Sequence, residues 1–152
     1  MSDPTLSVDN IIERCITVAV VKQHIANRMR AFSALSVLHY YNWLGTSDTS
    51  LIESIDQLEP PFAVVAYSGS EYGTMPMADR AFSVWVGISC VIPFVLEDFS
   101  LDPMEALRTA TIGALDKFIP EGQCIFEVKN DESRDVSQEL AVCEITLRVQ
   151  DV

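Results

Sequence analysis

Between residues 31 and 79 the sequence has no lysine and no arginine, although Asp48, Glu53, Asp56, Glu59, Glu71 and Asp79 fall there. So long an acidic stretch repels phosphates. With 22 acidic against 10 basic residues, the whole chain has a formal net charge of -12, which disfavours a grip on nucleic acid. Cysteine is scarce and scattered: Cys15, Cys90, Cys124 and Cys143 form no Cys-x-x-Cys pair and have no histidine at ligand spacing. A zinc or redox motif is thereby excluded, and four reduced core thiols are expected. Histidine is scarcer still. His24 falls on the polar side of a helix and His39 in an aromatic stretch, neither with a nucleophile or carboxylate at a suggestive spacing, so both read as structural. Walker loops, Gly-x-Gly-x-x-Gly and Gly-x-Ser-x-Gly are missing. The longest apolar run, residues 84–96, is too short for a helix across a bilayer and alternates like a strand instead. The opening Met-Ser-Asp-Pro-Thr sets no basic segment before an apolar one, so a secretory signal is not expected and synthesis in the cytoplasm is.

What is present suits one globular domain over residues 1–152, with 49% apolar and 21% charged residues and enough chain to bury a core unaided by metals or disulfides. Its centre is the stretch 82–94. Every even position there is apolar (Phe82, Val84, Val86, Ile88, Cys90, Ile92, Phe94), whereas the odd positions are mixed. Period two marks a long strand with one face on the core and the other partly covered. Gly87 and Pro93 are the expected sites of a bend, bulge or free edge.

Other elements follow from spacing and punctuation. A first helix, capped by Ser7 or Asp9, would bury a stripe of Ile11, Ile12, Cys15, Ala19, Ile25, Ala26 and Met29. Residues 35–42 read as a strand. Thr46, Ser47 and Asp48 can cap a short acidic helix over 51–58, with Leu51, Ile55 and Leu58 on one face, stopped by Glu-Pro-Pro at 59–61. A compact β-branched run at 62–67 should be a strand beside the central one. Residues 68–79 then form a loop longer than a hairpin needs. Asp102-Pro103-Met104-Glu105 is a strong helix start, leading to a helix that reaches Phe118, buries Met104, Leu107, Thr111, Ala114, Leu115 and Phe118, and is stopped by Pro120 and Gly122. A strand at 124–128, a charged exposed turn at 130–138 and a closing strand at 140–149 complete the chain, the last with Ala141, Cys143, Ile145, Leu147 and Val149 on one face. The order α, β, α, β, β, α, β, β implies an α+β fold: a single-layer mixed or mostly antiparallel sheet of about four to five strands packed against two main helices.

Sites for small ligands are poorly represented. Ser68-Gly69-Ser70 offers amides to an anion, but Glu71 follows at once and Arg80 is the first base, so a plain flexible loop is the reading. Glu97, Asp98 and Asp102 lack the dense oxygen spacing of a calcium loop. No metal and no cofactor are expected. The aromatic run at 39–43 sits in purely acidic surroundings, which opposes a base-stacking role and favours core and subunit-interface duty for Tyr41 and Trp43.

The sequence of features resembles a known family. A first helix, Pro-Pro-Phe-Ala-Val-Val-Ala-Tyr, a glycine-containing loop, a long alternating strand, Leu-Asp-Pro-Met-Glu-Ala-Leu and a final Ala-Val-Cys-Glu-Ile-Thr-Leu-Arg-Val together resemble the tail terminator proteins of tailed bacteriophages, including the Mu-like tail-completion group. The resemblance spans most of residues 9–150 and rests on order and texture rather than on a motif. It implies a structural virion protein without catalytic residues. Such a protein forms a hexameric ring that caps the tail tube, and the sheath where the tail is contractile, and joins them to neck or head-completion proteins. It implies no sequence-specific nucleic-acid binding and no membrane contact, DNA passing through a lumen whose acidity prevents adhesion. Tyr72, Met75 and Met77 in the loop 68–79 are then the expected anchors on a neighbouring subunit or the tube. Beside this reading stand another neck or tail-completion component and, from other classes, a small acyl- or nucleotide-handling enzyme with Cys90 or His39 in a pocket and a ligand-binding domain using a groove between the helix at 103–118 and the sheet.

Overall fold

The alternation that begins at Phe82 produces the middle strand of a five-stranded sheet. The computed structural model describes residues 17–45, 49–72, 78–89, 102–137 and 139–151. Its elements are α1 (Val18–Arg30), β1 (His39–Asn42), α2 (Thr49–Ile55), β2 (Phe62–Tyr72), β3 (Ala78–Ser89), α3 (Pro103–Leu115), a 3-10 turn (Pro120–Gly122), β4 (Cys124–Ser137) and β5 (Leu140–Asp151). The sheet order is β1-β2-β3-β5-β4, with β1 parallel to β2 and the other neighbours antiparallel. The expected α+β class, the succession of helices and strands and the mixed sheet are all observed.

On one face of the sheet the even positions of β3 meet the two main helices. Phe82, Val84 and Val86 join Val21, Ile25 and Met29 of α1 and Leu107, Ala114 and Leu115 of α3 in the larger core. The other face is partly covered, as the mixed odd positions imply, with half of it lying under a helix. Trp85, only 1% exposed, packs with Phe62, Val64, Leu140 and Val142 beneath Leu51 and Ile55 of α2. An indole needs cover to bury its large apolar area, and the apolar stripe of the acidic helix provides it while Glu53 and Asp56 stay exposed.

Several boundaries shift for identifiable reasons. α1 is capped by Thr17, whose hydroxyl accepts from the Val20 amide at 3.2 Å; Ser7, Asp9, Ile11, Ile12 and Cys15 lie outside the described residues. Its buried line is Val21, Ile25 and Met29, one residue every four, so Ala19 is exposed rather than in the stripe. The strand expected at 35–42 keeps only 39–42. Leu35 and Leu38 are buried in the turns that lead there, where the Phe32 carbonyl accepts from the amides of Leu35 and Ser36 at 3.0 and 2.9 Å. Asp102 caps α3 as expected, its Oδ1 accepting from the Glu105 amide at 2.7 Å. The helix ends at Leu115, before Phe118, since the next residues bond the edge of β4 instead: the Lys117 amide donates to the Phe126 carbonyl, the Phe126 amide to the Phe118 carbonyl and the Val128 amide to the Asp116 carboxylate, at 2.8, 2.9 and 3.0 Å.

Both expected loops are largely strand. β2 and β3 stay paired out to Tyr72 and Ala78, past a bulge at Ser68 where Gly69 adopts a φ of 140°. β4 continues through residues 130–137, bulging after Val128 and again after Asp135. Their polar composition reads as loop because the β2–β3 extension borders the uncovered half of the sheet and residues 130–137 form an exposed outer edge, where polar side chains are the rule for a solvent-facing strand. Cys124 and Cys143 are buried free thiols, and burial pushes the Cys124 thiol up to about 11 and raises Cys143 as well. Cys15, Cys90 and the end of the alternating stretch, 90–94, lie outside the described residues.

Candidate assembly surface

The half of the Trp85-bearing sheet face that no described element covers, here called the uncovered half, carries a dense set of ion pairs. Period two places Glu144, Thr146, Arg148 and Gln150 of β5 on the same face as Trp85, and β3 and β4 contribute Asp79 and Glu127 beside them. Arg148 bonds Asp79 at 2.6 Å and reaches Glu127 at 3.7 Å, while Lys129 approaches Glu127 at 3.2 Å. Nearer the apolar half, Arg134 donates to Glu144 at 2.6 Å and meets Glu132 at 3.1 Å, with its guanidinium 5.8 Å from the centre of the Trp85 ring. The hydrogen bond to Glu144, the largest influence, raises the pKa of Arg134. This pair marks the border between the covered and uncovered halves.

At the far end of that half a groove of about 600 Å³ is lined by Ser68, Ser70, Asp79, Arg80, Lys129 and Arg148 among others. The tertiary structure thus brings three cations to the Ser68-Gly69-Ser70 segment, which in sequence has only Glu71 beside it. The hydroxyls are engaged within the fold: Ser68 with Ser83 at 3.2 Å, and Ser70 with the Tyr67 hydroxyl. Polar atoms remain, since Asp79 Oδ1, Arg134 Nε and Asp151 Oδ1 are buried without a hydrogen-bond partner among the described residues. Such atoms are costly when left alone. A face of this kind can meet a polar protein surface; it presents no nucleophile with an adjacent base.

The expected interface residues are dispersed. Tyr41 and Trp43 are half-buried and pack on the smaller core beside α2, so their aromatic area is mostly spent inside the subunit. Tyr72 pairs with Ala78 on the last rung of the β2–β3 hairpin, and Met75 and Met77 lie outside the described residues. Among the described residues each histidine has one polar side-chain partner. His24 is hydrogen-bonded to Gln123 at 3.1 Å, and His39 is 3.8 Å from Glu59 in an exposed pair. The pushed-up thiols of Cys124 and Cys143 stay protonated near neutrality, which is the wrong state for a nucleophile; Cys90 lies outside the described residues. The groove postulated between α3 and the sheet is filled by Leu107, Thr111, Ala114 and Leu115 against Phe126, Ile145 and Leu147. Among the described residues no three His, Cys, Asp or Glu side chains are grouped to hold a metal ion, and no helix is long and apolar enough to cross a membrane.

The ion pairs of Arg134 and Arg148 are not among the sequence-based expectations. Their signal was available, for the even positions from Glu144 to Gln150 are all polar while the odd ones from Cys143 to Val149 are apolar.

No protein-family model and no curated protein matches the sequence. Among solved structures the fold is similar to a chain in the virion of a native gene transfer agent particle, with a TM-score of 0.52 and 13% identity. That superposition covers 89% of this chain and 98% of the other, so the two share one architecture over nearly their whole lengths.

Proposed function

We propose that the chain is a structural protein of a phage-like virion and, within it, a tail terminator. One observation carries the reading: a sequence that independently resembles tail terminators has a fold similar, across almost its full length, to a component of a gene transfer agent virion. The whole of residues 1–152 acts as one domain. Copies form a ring, hexameric by the family resemblance, that caps the tail tube at the neck and contacts the tube, the sheath if one is present, and a neck or head-completion protein. The protein is assembled in the host cytoplasm and ends in the virion. Its work is adhesion between subunits, which agrees with a face of partly buried ion pairs and with polar atoms that still lack partners. The net charge of -12 lines such a ring with a surface that phosphates avoid, so DNA slides through without sticking.

Electron microscopy of the purified protein, alone and mixed with the tail-tube protein of the same genome, tests this. Rings, or caps on tube ends, are expected. A protein that stays monomeric in both settings and leaves tube ends open is not a terminator.

A further inference from the structure

The basic residues divide by place. Of the six beyond residue 45, five meet carboxylates: Arg80, Arg108, Lys129, Arg134 and Arg148. Residues 17–45 instead contain Lys22, Arg28 and Arg30 with no acidic residue, and none of the three meets a carboxylate among the described residues. In a chain with 22 acids that separation is not a matter of supply. Arg28 is committed to the fold, its Nε donating to the Ala114 carbonyl at 2.8 Å. Lys22 and Arg30 are engaged within the fold as well, but both flank a groove of about 250 Å³ between α1 and the edge strand β1. Lys22 is held by Asn42 Oδ1 at 2.9 Å and the Trp43 carbonyl at 2.7 Å, and Arg30 stacks 4.5 Å from the centre of the Tyr40 ring. Apolar surface gathers in the same part of the chain. Four of the five large apolar side chains exposed among the described residues, Val20, Phe32, Val37 and Leu44, belong to it, as a partner-facing region would have.

At the opposite end of the sheet stands the other edge, β4. Its outer side is bonded at Phe126 and Val128, as described above, but no described segment pairs with it from Asn130 onward. Residues 130–139 hold Asp131, Glu132, Asp135 and Glu139 against Arg134 alone. Arg108 takes Oδ1 of Asp131 and Arg134 takes Oε2 of Glu132, at 3.3 and 3.1 Å, leaving the second oxygen of each without a hydrogen bond among the described residues. A long unpaired edge recruits strands indiscriminately unless charge restricts it. Here acid restricts it to a cationic counterpart.

We infer that the α1–β1 groove of one copy receives the acidic outer edge of β4 from the next copy, with Lys22 and Arg30 supplying the charge opposite Asp131, which lies on the helix-bearing face of that edge. The two surfaces differ and lie at opposite ends of the sheet, so the contact is head-to-tail, the kind that closes into rings. The need for such a contact rests on the ring reading above, whereas the choice of residues rests on charge and on the position of the two edges. Specificity follows from the acid, since a second β4 edge offered to the first would be repelled.

Sedimentation velocity on charge-reversed proteins tests the pairing. Lys22→Glu with Arg30→Glu, and separately Asp131→Lys, should each raise the concentration needed for assembly by at least about tenfold. An equimolar mixture of the two proteins should restore assembly, because each reversed surface then finds a complementary one, and so should a chain carrying all three changes. Thermal melts establish that each variant folds; if Lys22→Glu unsettles β1, Arg30→Glu alone carries the test. Wild-type rings accompanied by unaltered assembly of both reversed proteins would overturn the pairing and leave the ring reading intact, as would folded variants whose mixture stays monomeric. A wild-type protein that is monomeric alone and beside the tube protein instead sinks the ring reading itself, and the pairing with it.

Discussion

Phe62 and Gly87 face each other across β2 and β3, and the Phe62 ring fills the place a side chain on Gly87 would take. A Cβ built there would stand 2.8 Å from each Cε of the ring and nearer still to Cζ. The contact lies in the smaller core, next to Trp85, where neither the sheet nor α2 leaves the ring room to withdraw. Gly87→Ala should therefore destabilise the fold by roughly 1–3 kcal/mol, the usual cost of overfilling a packed site. Pairing it with Phe62→Leu should cost less than the two single changes summed, because the smaller side chain makes room for the methyl group. Urea melts of the four proteins measure the coupling, and strict additivity would show that the ring is not the obstacle.

Val86 lies on the opposite face of the same strand, fully buried between the sheet and the two main helices. Val86→Asp places a charge without a partner there and should cost roughly 4 kcal/mol or more. Ser89 is exposed at the end of β3, so Ser89→Asp should stay within about 0.5 kcal/mol of wild type. Comparable losses for the two in denaturant would contradict the observed register.

Arg28 ties α1 to the end of α3. Besides its bond to the Ala114 carbonyl, its guanidinium lies 4.8 Å from the centre of the Phe32 ring and 4.2 Å from that of Phe118. Arg28→Ala should cost about 1–3 kcal/mol from the lost charged hydrogen bond and ring contacts. Lysine keeps the charge but has no planar group to fit between two rings, so Arg28→Lys should recover little. Thermal melts at two ionic strengths decide it: full rescue by lysine would mean that charge alone matters.

Burial raises the Cys124 thiol from 9.0 to about 11, helped by the nearby Asp151 carboxylate and opposed by Arg80. The folded protein therefore holds this proton more tightly than the unfolded chain does. Stability from that difference is complete below about pH 9 and is lost as pH rises through 11. The Tyr40 hydroxyl, which donates to the Leu35 carbonyl at 2.7 Å, is likewise pushed from 10.0 up to about 12, chiefly by burial and against the pull of Arg30. Its contribution is lost between pH 10 and 12. Melting temperatures should fall steadily above pH 9, and Cys124→Ala should flatten the first part of that decline while Tyr40→Phe flattens the second. An unchanged slope in both variants would show that other groups govern alkaline unfolding.

Much of the architecture was legible in residue patterns, since local rules and tertiary packing agree for most elements. Asp102 and Pro103 start α3 because a carboxylate and a missing amide suit the first turn of any helix. The even positions of β3 face the larger core because side chains alternate on every strand. Leu51 and Ile55 were correctly placed on one side of α2, though nothing near them said which surface that side would meet. The candidate surface was less legible. Tyr41 and Trp43 have the composition of an interface, yet packing beside α2 consumes most of their area, and side-chain chemistry does not reveal how much of it a fold has already used.

The sequence by itself determined the element types, the α+β class and the apolar face of nearly every element, because those follow from periodicity within a dozen residues. The tertiary structure decided which parts of the sheet the described elements cover and which charges meet. Trp85 is sealed by a helix some thirty residues upstream, and the Asp79–Arg148 pair joins positions 69 residues apart. The extension of both hairpins through polar segments was settled in the same way, by partner strands whose backbone groups had to be satisfied. Alternation says that a strand has two faces; only the arrangement of distant elements says which of them, and how much of each, is left for another molecule.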